Sequence, residues 1–341
     1  MARVDLTVRG AGIFGLSIAW SCVQRGARVR VVDTQGIGAG SSGGIVGAMA
    51  PHVPDQWNPK KAFQLDSLLM AQVWWAGVEA ASGLPSGYAR TGRLQPLADA
   101  AAVDTARARG VSAEALWQGV AEWLVVPVTG AAWEPWSPSG HLVRDTLCAR
   151  LHPQMALRAL VGALRSAGAE VVVGDVADEG MVIHATGVAG LRTLSADLGR
   201  DMGAGVKGQA LALRHEARES PQLFVDGLHI VPHADGTVAI GSTSESAWEH
   251  DGVDGQLDAL HARAVAALPA LAGAEVVARW SGIRPRAKSR APLLGPWPGR
   301  AGEFVANGGF KIGFGMAPKV AEVMADLVLH GRDTVPEGFR L

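Results

Sequence analysis

The sequence predicts an α/β fold, α+β overall, on three observations: a β-α-β opening with a glycine-rich first turn, a later hairpin that turns the chain to antiparallel sheet, and length. At 341 residues the chain exceeds the roughly 150 residues of one domain, which sets a prior of about two. Hydrophobic residues make up 48% and charged residues 18%, the composition of a globular chain with a sizeable core, not of a disordered segment.

Val4, Leu6 and Val8 alternate as a strand. Gly10 to Gly15 then turn the chain into an apolar helix through Trp20 and Val23 that stops at Gly26, and Val29, Val31 and Val32 form a second strand. Parallel strands joined by a helical crossover imply a sheet covered on both faces. Residues 61–139 differ: Trp74, Trp75, Trp117, Trp123, Trp133 and Trp136 fall in helical stretches with no second β-α-β rhythm, the first piece of another domain. Pro153 to Ala167 places Leu157, Leu160, Val161 and Leu164 on one helix face, followed by a strand Glu170 to Val173. Leu228, Ile230 and Thr237 to Ile240 flank Asp235-Gly236, a tight-turn dipeptide. The last helix reads over 317–330, with Pro318 near its first turn, Val320, Val323, Met324, Leu327 and Val328 in one stripe, and Gly331 past its end.

Several function classes drop out. Lys+Arg 31 against Asp+Glu 32 gives a net charge of -1, so no global field exists to hold nucleic acid. Cys22 and Cys148 show no CxxC spacing, and a reduced cytoplasmic protein is the simpler reading. No apolar run reaches the ~18 residues of a membrane span, and the apolar stretch from Gly10 to Val23 fits a glycine turn better than an export signal. His229 and His233 lack a third ligand, so no metal is expected. There is no Gly-x-Ser-x-Gly and no Walker loop, which excludes hydrolase and nucleotide kinase readings.

The chemistry begins at Gly10-Ala11-Gly12-Ile13-Phe14-Gly15, where backbone N–H groups and a helix dipole face a point fit for a pyrophosphate. Asp33, followed by Thr34, ends the second strand 18 residues after Gly15. Its carboxylate can accept both hydroxyls of an adenosine ribose and would repel a 2′-phosphate, which leaves FAD or NAD. Gly36 to Met49 follows at once. There Ser41 and Ser42 can donate to a second phosphate, and Gly47, Ala48 and Met49 can carry the chain along a long cofactor.

Taken in order with His184-Ala185-Thr186-Gly187, Val206-Lys207-Gly208-Gln209, His229-Ile230-Val231-Pro232, Trp280-Ser281-Gly282-Ile283-Arg284-Pro285, Pro292-Leu293-Leu294-Gly295 and Gly308-Gly309-Phe310-Lys311-Ile312-Gly313, these segments resemble the D-amino acid oxidase family of flavoproteins, most closely its glycine oxidase and sarcosine oxidase branch. The resemblance implies FAD, with Ala185, Thr186, Gly187 and the run Gly309, Phe310, Lys311, Ile312 and Gly313 beside it. It implies a discontinuous Rossmann-like FAD-binding domain, here 1–60, 140–200 and 280–341. A substrate domain with a large antiparallel sheet then takes 61–139 and 201–279.

The resemblance also assigns a catalytic trio. Arg284 of the Gly-x-Arg-Pro motif would grip a substrate carboxylate through its guanidinium fork, the alternative being a structural salt bridge. His229 stands where relatives often carry a tyrosine, either as a donor whose strength depends on pH near about 6 to 7 or as a packed histidine. Lys311, with the positive end of the last helix, would stabilise the pyrimidine end of the flavin, or else is an exposed lysine. Ser289, where relatives carry an acid, lies in the run Arg286 to Arg290, which either favours a second anionic group on the substrate or is a solvated basic loop.

The reaction so implied is oxidation of a small amino acid's amine, of glycine, sarcosine or D-amino acid type, by hydride transfer to flavin N5, then imine hydrolysis to an oxo acid. Oxygen or another acceptor would take the electrons, and a homo-oligomer is compatible with this. Two alternatives stand beside it: an NAD-dependent dehydrogenase on the same opening, which leaves both glycine loops without a purpose, and a flavin-binding subunit acting only in a complex.

Overall fold

The computed structural model describes residues 4–341; residues 1–3 of the first expected domain lie outside it. The opening is a strand Leu6–Arg9, a helix Ile13–Gln24 and a strand Val29–Asp33. The strands pair in parallel, and Met181–His184 pairs in parallel on the other side of Leu6–Arg9. The six-stranded sheet runs Leu293–Pro296, Glu303–Asn307, Met181–His184, Leu6–Arg9, Val29–Asp33, Glu170–Val173, and only Leu293–Pro296 is antiparallel to its neighbour. Alternation sorts its side chains to two faces. Leu294 and Ala306 join the core beneath Ile13–Gln24, Pro153–Ser166 and Gly313–His330, whereas Leu293 and Val305 pack on Leu191 and Leu194 of the helix Gly187–Leu198.

The last helix begins at Gly313, four residues before the expected 317, and encloses Pro318. A proline inside a helix costs about 3 kcal/mol. The fully buried Met316, Val320 and Met324 offset it, at roughly 1.5–3 kcal/mol for each large side chain. The next N–H, that of Lys319, is donated to Ser67 Oγ at 3.2 Å.

The second sheet has eight strands in the order Val276–Ala287, Gly203–Arg214, Thr237–Gly241, Leu228–Pro232, Gln222–Val225, Arg93–Pro96, His141–Asp145, Trp123–Pro127. Every pair is antiparallel except Gln222–Val225 with Arg93–Pro96. The hairpin expected around Asp235-Gly236 is Leu228–Pro232 and Thr237–Gly241. One face buries Leu211, Leu223, Ile230 and Ile240 under the helix Gln256–Ala267.

Sheet membership departs from the expected division at 140 and 280. His141–Asp145 pairs with Arg93–Pro96, and residues 280–287 pair with Gly203–Arg214, so both stretches sit in the second sheet. Conversely, the helix Pro59–Ser82 packs against Gly313–His330 and Pro153–Ser166, because Phe63, Leu68, Trp75 and Val78 continue the first core. Among the described residues no helix is long and apolar enough to cross a membrane.

Trp75 is fully buried at this helix junction, edge-on to Trp74 with ring centroids 4.7 Å apart. Trp75→Ala is expected to cost about 3–5 kcal/mol, read as a lowered denaturant midpoint. A loss below about 1 kcal/mol would show that the junction does not depend on it.

Candidate active site

One cavity of about 1070 Å³ lies between the two sheets. It exceeds the roughly 300–1,000 Å³ of sites for drug-sized ligands, leaving room for a dinucleotide and a small substrate. Three helices, Ile13–Gln24, Gly187–Leu198 and Gly313–His330, begin on its wall, and none carries a side-chain cap from its N-cap residue. Apart from the Ile13 N–H, which Ser42 Oγ accepts, the first-turn N–H groups and three positive helix ends are thus open to an anion.

Gly10, Gly12, Ile13 and Phe14 line the cavity at the first turn. Gly10 has φ 110°, and a Cβ there would be driven into the Ala185 carbonyl. That close approach brings Ala185, Thr186 and Gly187 to the same wall, where Ala185 N–H donates to Arg9 O at 2.7 Å. Asp33 braces the turns: Oδ2 accepts from Ala11 N at 2.8 Å, and Oδ1 accepts from Gln35 N at 2.9 Å and Gly36 N at 3.0 Å. A carboxylate holds about four acceptor sites, so one remains for a ligand. Thr34, Ser41, Ser42, Gly47 and Ala48 also line the cavity. Ser42 Oγ accepts from Ile13 N at 3.0 Å, which leaves its proton to donate.

Three expected cofactor contacts are not brought to the wall. Met49 follows Ala48 in the strand Ala48–Met49 and therefore points the opposite way, into the core. Gly15 is pressed under the Gly10 carbonyl, where it has no room for a side chain. Ile312 turns back onto the core, whereas Gly309, Phe310, Lys311 and Gly313 line the cavity.

The second sheet supplies the opposite wall. His229, Gly241, Ala210 and Trp280 stand in register across four strands, and Arg284 lies four residues beyond Trp280, so the same face presents all of them. The small residues in the middle of the row admit the Val46 side chain, which packs over Gly241 beside Ala210, and His229, Val46, Trp280 and Arg284 line the cavity. The loop after Glu303–Asn307 is stitched to this strand by Phe310 N–H donating to Pro285 O at 3.0 Å, which sets Lys311 beside Arg284.

Arg284 is buried and makes no salt bridge among the described residues; Nη1 donates to Thr243 O at 3.2 Å, and the guanidinium carbon lies 5.9 Å from the Trp280 ring. Burial brings its pKa down to about 10, partly countered by Glu245. Burial, and then the charge of Arg284, also lower the Lys311 ammonium. His229 is pushed down to about 3 by burial, then by the charges of Arg93 and Lys311, and its Nδ1 has no partner among the described residues. It is neutral near pH 6 to 7, which corrects the pH dependence expected for it there. In the basic run, Lys288 is exposed beside Asp201 and Ser289 bonds to Ala291, so this is the solvated loop.

Sequence reasoning missed Phe224, whose ring lies 4.7 Å from His229, and Trp248 and Asp251 of the loop after Thr237–Gly241. The pairing of Phe224 with His229 follows only from strand register, and no local pattern marks Trp248 or Asp251. Cys22 and Cys148 are buried, free and off the cavity wall, so neither is placed to carry a covalent cofactor.

A glycine turn, an acid at the end of the second strand, three helix N-termini and a buried arginine on one cavity wall define a dinucleotide-dependent oxidoreductase, and the residues fit FAD. Residues 5–327 match the family described as FAD dependent oxidoreductase (DAO), and the chain belongs to that family. Glycine oxidase of Pseudomonas putida is 33% identical over 168 residues, 48% of this chain and 45% of that protein. The match therefore spans less than half the length of that relative. Glycine oxidase of Geobacillus kaustophilus is 26% identical over 361 residues, 96% of this chain and 93% of that protein. The crystal structure of glycine oxidase from Geobacillus kaustophilus shares the fold, with a TM-score of 0.86 at 23% identity over 100% of this chain and 99% of that one.

Gly10→Ala combines a left-handed φ with collision against the Ala185 carbonyl. The variant should purify without the yellow absorbance of bound FAD and fail to take it up on reconstitution. Retention of stoichiometric FAD would refute this account of the first turn.

Proposed function

We propose that the chain oxidises the amine of a small amino acid, of glycine, sarcosine or D-amino acid type, to an imine that water hydrolyses to an oxo acid. The observation that carries this is Arg284, a buried guanidinium without a carboxylate partner among the described residues, on the wall of the same cavity as the glycine turn and Asp33. FAD, when bound, supplies the acceptor for the α-carbon hydride. Arg284 would take the carboxylate in a charge-assisted pair and so fix the amine and α-carbon within the cavity. His229, being neutral, can donate one ring N–H to that carboxylate without adding charge. Lys311 adds positive potential beside it. The names of the glycine oxidase relatives support the substrate class. In this reading the six-stranded sheet and its helices form the FAD-binding domain, and the eight-stranded sheet, with 141–145 and 280–287, forms the substrate domain. Oxygen or another acceptor takes the electrons, and the two free thiols suit a reducing, cytoplasmic setting.

Arg284→Ala is expected to raise KM for the amino acid about 100-fold while FAD stays bound, since the substrate carboxylate loses its charged partner. An unchanged KM would remove the basis of the proposal.

Because His229 is held near 3, lowering the pH to about 5 leaves it uncharged, and the profile of kcat/KM between about pH 5 and 8 should carry no ionisation from it. His229→Asn should lower kcat/KM without altering the shape of that profile. An acid limb near pH 6.5 that vanishes in the variant would refute this.

A further inference from the structure

The geometry points to Lys207 as a positioning residue for Arg284, acting from the opposite face of the sheet through the loop that follows Thr237–Gly241. The inference rests on the carboxylate-binding role proposed for Arg284. Lys207 and Gly208 are neighbours in Gly203–Arg214 and so face opposite sides. On the cavity side, a Cβ at Gly208 would overlap the Arg284 guanidinium, which folds over the neighbouring strand at this gap.

On the other side Lys207 is fully buried, yet its ammonium meets Asp254 at 2.8 Å and Glu245 at 3.4 Å. Gln209, on the same face, accepts from Asp254 N at 2.8 Å and donates Nε2 to Glu245 Oε1 at 3.1 Å. Thr243 Oγ1 donates to the same Glu245 oxygen at 2.5 Å, and the backbones of Lys207 and Glu245 exchange two hydrogen bonds. The loop 242–255 is thereby fastened at both ends to the strand beneath the guanidinium. Thr243 supplies the carbonyl that accepts from Arg284 Nη1, the one hydrogen bond the guanidinium makes among the described residues.

Lys207 is not on the cavity wall and touches nothing that reacts. A buried ion pair contributes little net stability, and its best-attested use is to fix register. Here the register fixed is that of Thr243, whose carbonyl orients the guanidinium and leaves its other N–H donors for the cavity.

The test uses the full FAD-loaded chain and acetate, a carboxylate with no amine to oxidise, titrated by its perturbation of the flavin absorbance. Lys207→Met and Asp254→Asn should each weaken acetate binding and raise the amino acid KM about tenfold, with kcat and FAD content within about twofold. Lys207→Arg should restore affinity to within about threefold. Asp254 is at the solvent edge, 28% exposed, so its variant carries the test if Lys207→Met does not fold. In an Arg284→Ala background Lys207→Met should add nothing to the loss, a coupling that a merely structural lysine would not show. A penalty of the same size in that background, or unchanged acetate affinity in both single variants, overturns the proposal and leaves the role of Arg284 standing. Arg284→Ala that binds acetate like the parent chain overturns that role, and this inference with it.

Discussion

Taking a guanidinium out of water without a counter-ion costs several kcal/mol even after the protein relaxes, and the arrangement of the second sheet turns on tolerating that cost at Arg284. Other buried cations show what the usual remedy looks like. Arg93 pairs with Asp145 at 2.8 Å, and the Cys148 thiol donates to the same carboxylate at 3.2 Å. Arg150 places one nitrogen between the carbonyls of Arg218 and Pro232. Arg284 has a single carbonyl and the distant face of Trp280, and the rest of its donor fork faces a cavity. Pairing is left to a ligand, so the desolvation already incurred favours any carboxylate that arrives.

The same economy governs the cofactor end. With a net charge of -1, the chain has no global field to attract a dianionic pyrophosphate. Attraction is built locally from three helix ends that no N-cap side chain occupies, and Asp33 braces the turn before the first of them while keeping acceptor capacity for the proposed cofactor. Several cations elsewhere on the surface are paired, as in Arg28 with Asp5 and Arg218 with Glu216.

What was legible in the sequence is what local physics dictates. The β-α-β opening, the Asp235-Gly236 hairpin and the stripe of the last helix follow from periodicity and from backbone conformations that glycine alone adopts readily, and so does the glycine turn with Asp33. The strand order was not legible, because pairing Gln222–Val225 beside Arg93–Pro96 joins segments more than a hundred residues apart. The helix start at Gly313 was hidden by Pro318, which by itself reads as a first turn. The substrate wall suffers most. Arg284 stands out by its motif, but the row of His229, Gly241, Ala210 and Trp280 exists only once four strands are in register.

That row also gives a physical reason for a histidine at 229. The proposed site already holds Arg284 and Lys311, and burial, with the charge of Arg284 beside it, lowers the lysine. A third cation would raise the cost of burial further, so the position calls for a donor that stays neutral. Burial, with Arg93 and Lys311 close by, keeps the His229 imidazole uncharged well below neutral pH. It then offers one N–H and no charge, the same contribution that a tyrosine hydroxyl would make there. A histidine held neutral at 229 thus adds a donor to the proposed site without adding a charge, and leaves the charged pairing proposed there to the Arg284 guanidinium.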